Sequence, residues 1–226
     1  EEAIGHYSKV IANDPYYYQA RLAYAQTLIE LGRRAEAVSE LRQVAREPEL
    51  NSDEIASIGS LLVRADEEEE GERLLRRAVK LGGGESFTAF EYLGDFYLER
   101  SRVGEAVECY FKAILVDPTD TAIWLKAVGN LVEYRDSSDV CSQVQRYLET
   151  GSFEGSDGKE DEVVRVLRVI NEAAAYDDPS RLAFLEDAAW EMKQPALIAV
   201  LAKLHAFFGE EQEAEIRKFQ EEKLRI

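Results

Sequence analysis

Apolar residues recur three and four positions apart along most of this chain. Ala3, Tyr7, Val10 and Ile11 share one helical face, and so do Ala106, Tyr110, Ala113 and Ile114. Spacing of the i, i+3, i+4, i+7 kind buries one stripe of a helix and leaves the opposite face to water. No window alternates apolar and polar residues as a half-buried strand does, and Asp157-Gly158 is the one Asn-Gly or Asp-Gly hairpin signal. The prolines, Pro15, Pro48, Pro118, Pro179 and Pro195, all stand where a helix would begin or end. The pattern predicts an all-α protein.

The helical segments also repeat one another. Ala3 to Val10 aligns with Ala106 to Ala113, and each runs on into a proline turn, Asn13-Asp14-Pro15 and Val116-Asp117-Pro118. Tyr92-Leu93-Gly94-Asp95-Phe96-Tyr97 precedes the second of these, and its phase recurs as Tyr24-Ala25 with Leu28 and as Ile58-Gly59 with Leu62. The pattern resembles the tetratricopeptide repeat, a helix–turn–helix unit of about 34 residues.

Laid on that unit, residues 1–17 form a half repeat with Ala3, Tyr7, Val10 and Pro15 at the family positions. Residues 18–51 carry Tyr24, Ala25, Gly32 and Ala37; residues 52–86 carry Ile58, Gly59 and Leu62, with Gly71 in place of the small alanine. Residues 87–120 match best, through Phe90, Leu93, Gly94, Tyr97, Ala106, Tyr110, Ala113 and Pro118. Residues 121–152 are degenerate, keeping Trp124 at the family's tryptophan position. Small residues let antiparallel helices approach, large aromatics fill the space beside them, and neighbouring hairpins bury what one cannot bury alone. The resemblance implies an α-α superhelix, a solenoid of about six helical hairpins.

Beyond Thr150 the register breaks at a polar, glycine-rich stretch, 151–159. Apolar spacing returns over 160–226, read as degenerate repeats ending in a charged cap, with a separate small helical domain as the alternative. The chain opens at Glu1 in mid-helix pattern, as a fragment of a longer protein would.

Composition narrows the function classes. In 226 residues, 45 Asp and Glu stand against 27 Lys and Arg, a formal net charge of −18. Such a chain does not neutralise a run of phosphates, so direct nucleic-acid binding is not expected. The longest apolar run, Pro195 to Ala202, is too short for membrane insertion. The two cysteines, Cys109 and Cys141, sit in apolar helical stretches and read as small hydrophobes in an intracellular, cytoplasmic or nuclear, reducing compartment.

No catalytic, metal or cofactor motif stands out. His6 and His205 have no Cys or His at ligand spacing. Gly82-Gly83-Gly84 lacks the Lys-Ser/Thr of a phosphate loop and reads as a helix stop; Asp66 to Glu70 reads as an acidic run favoured by a helix N-terminus. The expectation is a non-enzyme without cofactors.

Function then falls to a surface. The resemblance implies that first helices line a concave groove for a peptide or partner helix. Gln19, Ala23, Gln26 and Glu30 would face it, then Asp53, Ser57, Ser60 and Arg64, then Glu91, Tyr92, Asp95 and Glu99, then Lys126 and Glu133. The family's carboxylate clamp needs Lys, Asn and Arg at such positions, and only Lys126 resembles it. The acidic row reads as a solvated face or as a site for a basic or amphipathic peptide or helix, with Tyr92 as anchor. The expected function is a protein-interaction scaffold within a larger protein or complex; a regulatory or targeting module on an enzyme and a self-associating module are the alternatives. Gly94→Leu should overpack the unit at 87–120 and cost about 1–3 kcal/mol, read as a lower thermal midpoint.

Overall fold

The computed structural model describes residues 2–14 and 17–134, together with 137, 140, 142, 143, 145, 146, 149, 198 and 200. The expectations for 151–159 and 160–226, for Pro15, Cys141 and His205, and for most of the second half of 121–152 lie outside the described residues. Eight helices are described: α1 (Glu2–Asn13), α2 (Tyr18–Glu30), α3 (Arg34–Val44), α4 (Ser52–Arg64), α5 (Glu68–Leu81), α6 (Phe87–Glu99), α7 (Val103–Val116) and α8 (Thr121–Glu133). Among the described residues there is no strand. The fold is an all-α helical-repeat solenoid. By compactness the chain divides into two units, Glu1–Phe96 and Tyr97–Ile226, with the division inside α6.

Helices α2, α4, α6 and α8 begin at Tyr18, Ser52, Phe87 and Thr121, successive steps of 34, 35 and 34 residues. The turn after each first helix repeats at the same interval. Gly32, Asp66 and Ser101 take left-handed backbone, with φ of 76°, 70° and 58°. The next residue in each turn reaches back five positions: the N–H groups of Arg33, Glu67 and Arg102 donate to the carbonyls of Leu28, Leu62 and Tyr97 at 2.8–2.9 Å. The left-handed residues themselves donate to Ile29, Val63 and Leu98 at 2.9–3.0 Å. This pair of bonds closes a helix C-terminus by satisfying carbonyls that would otherwise lack partners.

Side chains cap three of the first helices, α4, α6 and α8. Asn51 and Glu54 form a reciprocal capping box at α4, the Asn51 Oδ1 accepting from the Glu54 N–H and the Glu54 carboxylate from the Asn51 N–H. The Ser86 hydroxyl accepts from the Ala89 N–H in the first turn of α6, and the Asp120 carboxylate accepts from the Ile123 N–H in α8.

In the first unit the core is built from Ala25, Leu28, Ala37 and Leu41, then Ile55, Ile58, Leu62, Leu75 and Ala78, all buried. Helices α4 and α5 come closest at Gly59 and Gly71. A Cβ on Gly71 would lie 2.5 Å from Val63 Cγ2 and 2.8 Å from the Gly59 carbonyl oxygen, and one on Gly59 would lie 3.0 Å from the Gly71 carbonyl oxygen. Gly71 therefore takes the place of the family's alanine because an added methyl has no room against α4.

The second unit buries Tyr110, Phe111, Ile114, Ile123 and Trp124. The Trp124 Nε1 donates to the Pro118 carbonyl at 2.8 Å, so the ring fills the core while its polar edge is satisfied. Just before it, Asp117 accepts from the Thr119 hydroxyl at 2.6 Å and the Thr119 N–H at 2.9 Å, which holds the Asp117 carboxyl below its ordinary pKa.

The left-handed turns generate a test. Ser101 is exposed and holds a backbone that a side chain disfavours, so Ser101→Gly should stabilise the protein by about 0.5–1 kcal/mol. Gly32→Ala should destabilise it by about as much. Urea midpoints of the two variants would be expected to move in opposite directions.

Candidate functional site

One cleft in the first unit lies across the first helices. Its walls are Gln19, Leu22, Ala23 and Gln26 from α2, Ser57, Ser60, Leu61 and Arg64 from α4, and Tyr92 from α6, around a cavity of about 320 Å³. Gln19, Leu22 or Ala23, and Gln26 are three and four residues apart, as are Ser57, Ser60 or Leu61, and Arg64, so each helix presents one face to the cleft. Repetition of the hairpin at 34 and 35 residues sets those faces side by side.

The lining is chemically mixed. Leu22, Leu61 and Tyr92 offer apolar surface, whereas Gln19, Gln26, Ser57 and Ser60 offer amides and hydroxyls. The Ser57 hydroxyl donates to the Asp53 carbonyl at 2.8 Å, and Gln26 Nε2 donates to the Glu30 carboxylate at 3.1 Å. Arg64, exposed at the end of α4, has no hydrogen-bond or ion-pair partner among the described residues. One uncompensated guanidinium therefore faces a cleft that contains no carboxylate.

Ser86 sets the position of Tyr92. Its buried hydroxyl donates to Asp53 Oδ1 on α4 at 2.7 Å while capping α6. Start of α6 and first turn of α4 are thereby tied, and Tyr92 is held opposite Ser57, Ser60 and Arg64.

Of the residues expected in the groove, the cleft contains Gln19, Ala23, Gln26, Ser57, Ser60, Arg64 and Tyr92. The acidic ones are elsewhere. Glu30 is exposed and receives the Gln26 amide, and Asp53 receives the Ser86 hydroxyl. Glu91 and Asp95, half-buried on α6, are already engaged within the chain, and exposed Glu99 lies 3.2 Å from Arg100. In the second unit, Lys126 Nζ stands 5.8 Å from the centre of the Tyr110 ring, and Glu133 is exposed at the end of α8. Leu22 and Leu61 went unnamed as lining residues, although Leu22 is three from Gln19 and Leu61 is four from Ser57.

The acidic run has a structural use that spacing along one helix does not reveal. Arg34 of α3 pairs with Asp66 at 2.8 Å, and Arg42 reaches Glu67 at 2.9 Å and Glu70 at 2.7 Å. Hydrogen bonding to Glu70 raises the Arg42 pKa. Among the described residues no cluster of His, Cys, Asp or Glu is arranged to hold a metal, and no helix is long and apolar enough to cross a membrane.

A tetratricopeptide repeat family model matches residues 1–58. No curated protein matches the chain. Among solved structures, pilF of Pseudomonas aeruginosa is 19% identical with a TM-score of 0.49, the match covering 96% of this chain and 86% of that one. MamA is 21% identical with a TM-score of 0.47, over 65% and 85% of the two chains. YrrB, described as a TPR protein with an unusual peptide-binding site, is 16% identical with a TM-score of 0.43, over 65% and 77%.

If Ser86 joins α6 to α4 as described, Ser86→Ala removes a cap and leaves Asp53 without its donor. The expected loss is about 1–2 kcal/mol in urea unfolding. Ser86→Thr, which restores the hydroxyl, should recover most of it.

Proposed function

We propose that this tetratricopeptide-repeat chain is a non-catalytic protein-interaction scaffold that holds an amphipathic peptide or helix in the cleft formed by α2, α4 and α6. One observation carries the reading: three successive first helices contribute to a single cleft, which combines an apolar strip with amides, hydroxyls and an uncompensated guanidinium. An extended segment needs all of these. Its apolar side chains pack on Leu22, Leu61 and Tyr92, its backbone exchanges hydrogen bonds with Gln19, Gln26 and the serines, and an acceptor meets Arg64.

The basic partner expected from the acidic row has less support, because Glu91, Asp95 and Glu99 do not line the cleft. Amphipathic character, with Tyr92 as anchor, is the part of the expectation that the lining favours. A reducing intracellular location accords with Cys109, a buried thiol.

Selection of peptides from a random display library on the immobilised protein tests the reading. Selected peptides should bind with about micromolar affinity and lose about tenfold or more on Ser60→Trp, which fills the cleft. Tyr92→Ala should weaken them by a similar factor through faster dissociation. Peptides that bind both variants as tightly as the parent protein would overturn this assignment.

A further inference from the structure

The second helices α3 and α5 present a surface of opposite character. Arg42, Arg46, Arg73 and Arg77 line a cleft of about 460 Å³, with Ala45, Leu74 and Glu70 completing it. Four guanidinium groups and one carboxylate thus share a small volume in a chain whose net charge is −18.

The arginines form two rows. Arg73 and Arg77 are four residues apart on α5, so they share a face and repel along the helix, while Arg42 lies on α3 and Arg46 in the turn just beyond its end. One end of the cleft is neutralised internally. Arg42 lies 2.7 Å from Glu70 and 2.9 Å from Glu67, and Arg73 lies 3.6 Å from Glu70. At the other end, Arg46 and Arg77 are exposed and have no hydrogen-bond or ion-pair partner among the described residues. Buried Leu74 and half-buried Ala45 supply small or apolar walls between the rows, where a polypeptide can lie close.

We propose that this cleft is a docking site for an acidic peptide segment of a partner protein, whose carboxylates are received by Arg46 and Arg77. Guanidinium groups donate paired, charge-assisted hydrogen bonds to carboxylates, and a bound carboxylate relieves the repulsion among the arginines. A nucleic acid fits less well. Two uncompensated arginines meet few phosphates, and the rest of a polyanion would face a strongly acidic chain. An acidic segment places its charge in the cleft and keeps its remainder clear. The cleft belongs to the second helices and is lined by none of the residues of the α2–α4–α6 cleft, so it does not depend on that reading.

Fluorescence anisotropy with a labelled Gly/Ser peptide that carries two central glutamates tests the proposal on the full chain. Binding should saturate at low salt and weaken as salt rises. The double variant Arg46→Gln/Arg77→Gln should weaken it by about tenfold or more, while Arg76→Gln, which lines neither cleft and pairs with Glu72, should leave it unchanged. Both substituted positions are exposed, and an unaltered thermal midpoint would show that the variant is folded. Absence of saturable binding at low salt, or equal affinity in the double variant, would overturn the proposal. Tighter binding of an oligothymidylate of equal charge would overturn it in favour of nucleic acid.

Discussion

Each first helix in this chain must hand over to its second helix within three residues, and left-handed backbone at one of them makes that possible. Gly32, Asp66 and Ser101 fill this role, and the residue that follows each closes the helix by a hydrogen bond to a carbonyl five residues behind. Only one of the three is glycine. Asp tolerates the conformation better than most residues; Ser101 has no such advantage, and the geometry is imposed on it by the hairpin. Because the turn recurs at nearly constant spacing, successive first helices present equivalent faces. The α2–α4–α6 cleft is a consequence of that repetition.

Charge follows the same period with one inversion. The residues just after the left-handed position are Arg33, Glu67 and Arg102. Arg33 and Arg102 each fork onto a glutamate three residues on, Glu36 and Glu105, at the start of their own second helix. Glu67 has Glu70 at that position, and like charges there would repel. Arg42 of the preceding hairpin resolves the conflict by taking both carboxylates. The inversion turns a local helix-start contact into a tie between hairpins, and it also draws arginines onto the α3 and α5 surface.

Much of the fold was legible because its determinants lie close together in sequence. Helix periodicity, the 34-residue interval and the small residues Gly59, Ala37 and Ala106 all read directly. Gly71 read as a departure from the family pattern, but the Val63 side chain that accounts for it becomes visible only when α4 and α5 are packed. The candidate site was legible in part. Gln19, Gln26, Ser57, Ser60, Arg64 and Tyr92 follow from helical phase, whereas their lining partners Leu22 and Leu61 look like core from sequence alone. Glu91, Asp95 and Glu99 looked available because charge was counted without its partners. Arg42 with Glu67 and Glu70, or Ser86 with Asp53, spans between 25 and 33 residues, and no short-range pattern announces such pairs.

Net charge is therefore a poor guide to what either cleft can bind. A sum of −18 describes the field far from the protein, which governs encounter and solubility. Within a few ångströms the uncompensated groups decide, and in the first unit the two clefts contribute Arg64 on one side and Arg46 with Arg77 on the other. An acidic protein that concentrates uncompensated arginines in its concave features repels polyanions at long range and still accepts single carboxylates at contact. On the proposed reading, short range and long range select different things: the overall field disfavours polyanions at a distance, and the arginines of the clefts favour peptides that present isolated carboxylates.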